Sequence, residues 1–140
     1  MCIRDRADIR TVTETFAVAP QLLPAEMAEV AALGFKLVIN NRPDQESPGQ
    51  PSAAQVQAAA EAAGLDYVHI PVVGGASADQ LEAFHAAVAS AKGPVLAFCR
   101  SGTRSITTWA RGQAQHGDKT PGELVELGGD AGYDLSGAVR

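Results

Sequence analysis

Val95-Leu96-Ala97-Phe98-Cys99-Arg100-Ser101-Gly102-Thr103-Arg104-Ser105 is the stretch whose reading decides the fold of this chain. Its apolar run fits a short strand covered on both faces, as in a parallel sheet. Glycine and small hydroxyl residues then turn the chain. After Arg104 it reads as a helix to about His116, with Ile106, Trp109 and Ala110 on one face. A strand, a tight loop and a helix in that order aim several backbone N–H groups at one point, and the helix adds its positive N-terminal end. Cys99 stands at the start of this cradle. The N–H groups, the helix dipole and the guanidinium groups of Arg100 and Arg104 all favour a thiolate there. Arg104 is planar and bidentate, suited to hold an oxyanion against the sulfur. A solitary cysteine at a strand end is otherwise just a small buried hydrophobe. The glycine and arginine at these spacings are what argue for a nucleophile.

Working outward, the same pattern repeats. Ile9–Thr13 and Phe16–Ala19 read as short strands near a sheet edge. Pro24 suits the first position of a helix running to about Leu33, with Gly34 as its stop. Lys36–Asn40 carries Leu37, Val38 and Ile39 in a row, a second buried strand. Asn41–Pro51 is a polar loop. Ser52 with Gln55 and Ser77 with Gln80 form capping boxes; they open helices to Ala63 (stopped by Gly64) and to about Ser90. Tyr67–Ile70 is a strand between them. Leu81, Phe84 and Val88 make an apolar stripe on the later helix. Thr120, Pro121 and Glu123 start a last helix. Strand and helix alternate, so the expected architecture is α/β: three layers, a mainly parallel sheet flanked by helices on both faces.

At 140 residues the chain is the length of one domain. Its 46% hydrophobic and 19% charged content is that of a globular protein able to bury a core unaided. A net charge of −5 argues against nucleic acid or an anionic membrane as partner, so an anionic substrate must be drawn to a local positive site. No apolar run approaches the roughly 20 residues of a membrane span. Two cysteines, Cys2 and Cys99, make no disulfide framework, and a reducing cytoplasmic location is expected. Residues 1–7 read as a non-native or disordered start, Met1–Asp5 resembling the translation of a transposon-end sequencing adaptor. Residues 8–140 read as a single catalytic domain, with a further segment after Arg140 left open. His69, His85 and His116 are scattered and read as structural, so neither a metal nor another cofactor is expected.

The Cys99–Arg104 loop resembles that of single-domain rhodaneses, which have four residues between cysteine and arginine; tyrosine phosphatases have five. The rest of the chain resembles another family. Phe16-Ala17-Val18-Ala19-Pro20-Gln21, Val38-Ile39-Asn40-Asn41-Arg42-Pro43-Asp44, His69-Ile70-Pro71-Val72 and Gly132-Tyr133-Asp134-Leu135-Ser136 are similar to the beta-lactamase-hydrolase-like protein, phosphatase-like domain family. That resemblance implies a tyrosine- and dual-specificity-phosphatase-like fold. It also implies either phosphatase or sulfurtransferase activity, and a functional link to a persulfide dioxygenase, to which some members are fused.

Both chemistries begin with the Cys99 thiolate, and they differ in the need for an acid. The phosphatase pattern expects an Asp after the Ile70-Pro71 strand end, where Gly74 stands, and a His before the nucleophile, where Phe98 stands. Asp79 is the nearest replacement acid, though an acidic residue in a first helical turn is ordinary. These absences and the shorter loop favour sulfur transfer from thiosulfate or glutathione persulfide through a Cys99 persulfide. The alternative is hydrolysis of a phosphoester through a Cys99 phosphocysteine. A third possibility is a non-catalytic anion-binding module. Cys99, Arg104 and Ser105 are the expected catalytic residues, Ser105 through a hydrogen bond to the thiolate that phosphatases of this kind use. Arg100, Ser101, Gly102, Thr103 and Arg42 are the expected anion-binding residues. Gly74 and Gly75 mark a segment able to admit or cover a substrate.

Overall fold

The structure, a computed structural model, describes residues 9–138. The expected non-native or disordered start, residues 1–7, falls outside these residues, as does Cys2. Five strands form one sheet in the order β1-β2-β5-β3-β4, with β1 Arg10–Thr13, β2 Phe16–Ala19, β3 Leu37–Asn40, β4 Asp66–His69 and β5 Val95–Phe98. Strand β1 runs antiparallel to β2, and every other pairing is parallel. The α/β expectation therefore holds. The sequence places Phe16–Ala19 near an edge, and the structure puts it second from the edge, beside β1; all four of its residues are buried because helices cover both faces of the sheet.

Among the described residues five helices cover the sheet: α1 Met27–Ala32, α2 Ala53–Ala62, α3 Ala78–Ser90, α4 Thr103–Gln115 and α5 Pro121–Asp130. Pro24 does start helical structure, but Pro24–Glu26 is a 3₁₀ turn that leads into α1 rather than its first turn. The capping boxes at Ser52, Ser77 and Thr120 are all formed, each hydroxyl accepting from the backbone N–H three residues on. They satisfy donors that a helix start otherwise leaves open, about 1 kcal/mol each.

Alternation along the strands sorts the core into two layers. Phe16, Val18, Leu37, Ile39, Val95 and Ala97 face Phe84 of α3, Ile106 and Trp109 of α4 and Leu124 of α5. Ala17, Ala19, Val38, Leu96 and Phe98 face Met27, Val30, Val56 and Ala60 on the side of α1 and α2. Trp109 stacks on Phe16 with ring centroids 4.9 Å apart. That contact fixes α4 against the sheet, and α4 is the helix that begins at the loop after Cys99. The consequence for the site is positional. In an open parallel sheet, ligands bind beyond the carboxyl ends of the strands. Strand β5 is central here, so residue 99 emerges between the ends of β2 and β3.

Candidate active site

Cys99 is 1% exposed and directly follows the central strand. Its backbone N–H donates to Ala19 O at 3.4 Å, tying the sulfur's position to β2. Gly102 caps α4 in the left-handed region, with φ +91°, a conformation in which glycine carries no steric penalty. From there its N–H donates to Cys99 Sγ at 3.1 Å. Ser101 Oγ donates to Thr103 Oγ1 and accepts weakly from Thr103 N–H. The N–H groups of Arg100, Ser101, Arg104 and Ser105 find no acceptor among the described residues. Backbone donors without an acceptor thus cluster between Cys99 and the first turn of α4, a segment of the kind that can receive an anion.

Arg104 is half-buried. Its Nη2 donates to Glu46 Oε2 at 2.9 Å and its Nη1 to Asn41 O at 3.4 Å. Glu46 uses its other oxygen, Oε1, for Arg42 Nε at 2.9 Å. Arg42 is buried, and its remaining nitrogens donate to Gln21 Oε1 and Ser47 Oγ. Its N–H and carbonyl are also held, by Asn40 Oδ1 and by His69 Nε2, both at 2.9 Å. Arg42 thus meets the site through Glu46 and not as an open anion binder. Burial raises the pKa of Glu46, but the hydrogen bonds and charges of Arg42 and Arg104 outweigh it and leave the carboxyl below its ordinary range.

Ser105 is fully buried on the first turn of α4, and its Oγ has no hydrogen-bond partner. The hydrogen bond to Cys99 expected from the sequence is not formed; the sulfur accepts from Gly102 N–H instead. Among the described residues Asn41 Oδ1 is the other buried side-chain polar atom without a partner, although its Nδ2 donates to Ile70 O. Arg100 lies exposed on the loop, and its carbonyl accepts from Gln21 N–H. Asp79 is exposed in the first turn of α3, with no hydrogen bond to the loop. Gly74 and Gly75 both have positive φ. Their segment is fastened to α4, because Arg111 Nη1 donates to Ala76 O. Phe98, before the cysteine, is packed into the α1–α2 side of the core. His69 is structural through Arg42 O; His85 and His116 stack on each other and pair with Asp118 and Glu82, away from the loop.

Two contributors were missed from sequence. Glu46 sits four residues after Arg42 in the polar loop, a spacing that permits the pair, but its second partner lies 58 positions away. In the sequence Tyr133 stands out only within the Gly132-Tyr133-Asp134 pattern. Its hydroxyl donates to Ser101 O at 3.0 Å.

With this geometry, the family question has an answer. The model of the beta-lactamase hydrolase-like protein, phosphatase-like domain matches residues 8–116. The chain belongs to that family. A beta-lactamase hydrolase-like protein from Agrobacterium fabrum is 40% identical over 130 residues, which is 92% of this chain. One from Xylella fastidiosa is 37% identical over 129 residues. The chain spans about 30% of the length of these relatives. Among solved structures, a phosphatase candidate from Neisseria meningitidis superposes with a TM-score of 0.81 at 34% identity, covering 92% of each chain. Pseudomonas aeruginosa TpbA, solved with phosphotyrosine, gives 0.63 at 16% identity over 97% of this chain and 82% of its own, a likeness of fold alone. The phosphatase-like fold expected from the resemblance is thereby established. Among the described residues no helix is long and apolar enough to cross a membrane.

Proposed function

We propose that this phosphatase-like domain is a cysteine-based hydrolase of phosphomonoesters working through a Cys99 phosphocysteine. This reverses the preference drawn from sequence, where sulfur transfer came first. The observation that carries it is the placement of Cys99 Sγ against Gly102 N–H, at the foot of α4, with Arg104 on that helix's first turn. The family's phosphatase-like description and the 34%-identical phosphatase candidate support the same reading. The thiolate attacks phosphorus and the bond to the ester oxygen breaks. The departing oxygen takes its proton from water. A water molecule then attacks phosphorus, the P–S bond breaks, and the thiolate returns with release of phosphate. The N–H groups of Arg100, Ser101, Arg104 and Ser105 and the guanidinium of Arg104 hold the phosphoryl oxygens, while Gly102 N–H stays on the sulfur and Thr103 N–H on Ser101 Oγ. Asp79 is exposed and makes no bond to the loop, so aryl esters, whose leaving oxygen needs little help from an acid, are the favoured substrates.

A second reading keeps the sequence preference. Glycine at position 74 and phenylalanine at position 98, where a phosphatase would carry Asp and His, suit transfer of sulfane sulfur from thiosulfate. There Cys99 Sγ bonds the outer sulfur, the S–S bond breaks, and sulfite leaves without needing a proton. A thiol or cyanide then takes the sulfur, and a persulfide dioxygenase would be the natural consumer of a thiol-borne product. Phosphate release from para-nitrophenyl phosphate, abolished in Cys99→Ser, supports the first reading. Thiocyanate formed from thiosulfate and cyanide without phosphate release replaces it with the second. Anion binding that survives Cys99→Ser, with neither turnover, would leave an anion-binding module.

A further inference from the structure

The peptide bond between Ser101 and Gly102 has both of its ends in use. On one side Gly102 N–H donates to Cys99 Sγ at 3.1 Å; on the other Ser101 C=O accepts from Tyr133 Oη at 3.0 Å. In a trans peptide the N–H and C=O point in opposite directions, so fixing one fixes the other. We infer that Tyr133 is a positioning residue that locks this peptide with its N–H toward the nucleophile. The inference rests on Cys99 being the working thiolate.

Glycine makes the lock necessary. Gly102 is at φ +91°, and glycine passes between such states at little steric cost. The residue that lets the loop turn would also let the peptide flip. A flipped peptide would present the Ser101 carbonyl oxygen to the sulfur, and its partial negative charge opposes a thiolate.

Tyr133 is itself held firmly. It follows α5 through a Schellman ending: Tyr133 N–H donates to Gly128 O at 2.8 Å and Gly132 N–H to Gly129 O at 3.0 Å, with Gly132 at φ +96°. Leu135 packs where a side chain at 128 would stand, and Leu135 is buried in the α3–α5 layer of the core. Arg10 Nη1 donates to Ala131 O at 3.1 Å, joining the same corner to β1. The fit to the loop is close, since a Cβ on Gly102 would collide with Tyr133 Oη. The C-terminal segment therefore reaches the nucleophile's loop through the hydroxyl of Tyr133, the part that Phe lacks.

The test is the pH dependence of alkylation of Cys99 by iodoacetamide, in the full chain with Cys2→Ser so that one thiol reports. In Tyr133→Phe the midpoint should move to higher pH. Well below the midpoint, alkylation should fall about two- to tenfold, the worth of one hydrogen bond. The acid limb of para-nitrophenyl phosphate hydrolysis should move with it, while thermal unfolding stays close to the parent's. Coinciding profiles overturn the inference. If they coincide at a midpoint well below that of a free thiol, near 8.5, the thiolate reading stands and only the role of Tyr133 is lost; if they coincide near 8.5, both fall. Unchanged alkylation in Tyr133→Phe with early melting in Tyr133→Ala would likewise overturn it, leaving the ring as packing.

Discussion

Glu46 Oε2 lies 2.9 Å from Arg104 Nη2, and through its other oxygen the same carboxylate holds the buried Arg42. The loop after β3 thereby aims the arginine on the first turn of α4. Residues 58 positions apart share one electrostatic frame at the sheet's carboxyl edge.

Glu46→Gln keeps the shape of this frame and removes its charge. Arg42 then stays buried beside a neutral amide, and Arg104 loses its orienting partner. Water screens the 27%-exposed carboxylate, so the loss of stability is expected at about 1–2 kcal/mol, read from the urea midpoint. Activity on para-nitrophenyl phosphate should fall about tenfold in kcat/KM, because misplacing a charge clamp costs orientation. A variant as active and stable as the parent would show that the bridge is incidental.

The same carboxylate predicts a pH dependence of folding. Glu46 ionises more readily in the folded chain than at its usual 4.5, so between those values the unfolded chain holds more protons. Its contribution is complete above about 4.5 and is lost as pH falls through the lower folded value. Urea unfolding of the parent should weaken more than that of Glu46→Gln as pH falls below 4.5, and parallel curves would refute the linkage. Asp118, held low by its hydrogen bond to His85, acts in the same direction and is common to both proteins, so the difference between them isolates Glu46.

Gly102→Ala should be strongly destabilised and inactive. The φ of +91° is costly for alanine, and the new Cβ would meet Tyr133 Oη. Tyr133→Phe removes that oxygen but leaves a tight 3.1 Å approach to Cζ. The double variant is therefore expected to be less unstable than the sum of the singles, by about 1 kcal/mol in a denaturation cycle. Additive losses would mean that the backbone strain alone accounts for the single variant.

Ser105→Ala separates stability from chemistry. Its buried hydroxyl has no partner, so its removal should leave the unfolding midpoint unchanged or slightly raised. If the hydroxyl turns to the departing thiolate when the P–S bond breaks, the second step slows. Rapid mixing with para-nitrophenyl phosphate should then show a burst of nitrophenol followed by slow turnover. A variant with parent-like steady-state rate and no burst would remove Ser105 from the reaction.

Much of the fold was legible because its signals are local. A capping box needs only residues three apart, and Ser52, Ser77 and Thr120 each start their helices where the pattern placed them. The runs Leu37–Ile39 and Val95–Phe98 announce strands covered on both sides. Pro24 misled slightly, since a favourable first residue does not choose between a 3₁₀ turn and an α-helix. Phe16–Ala19 does lie next to the edge strand, as its short run beside Ile9–Thr13 suggests.

The candidate site divides along the same line. Sequence alone determined that Cys99 follows a buried strand and precedes a glycine-bearing turn, because strand, turn and helix preferences act over a few residues. It also determined that Arg104 opens the helix that follows. Tertiary structure alone decided that Arg42 faces Glu46, that Glu46 also holds Arg104, that Ser105 is left without a partner, and that Tyr133 reaches Ser101 across 32 residues. The physical reason is that hydrogen bonds and ion pairs depend on distances of about 3 Å and on direction. For residues far apart in the chain, only the packed sheet and its helices set those distances.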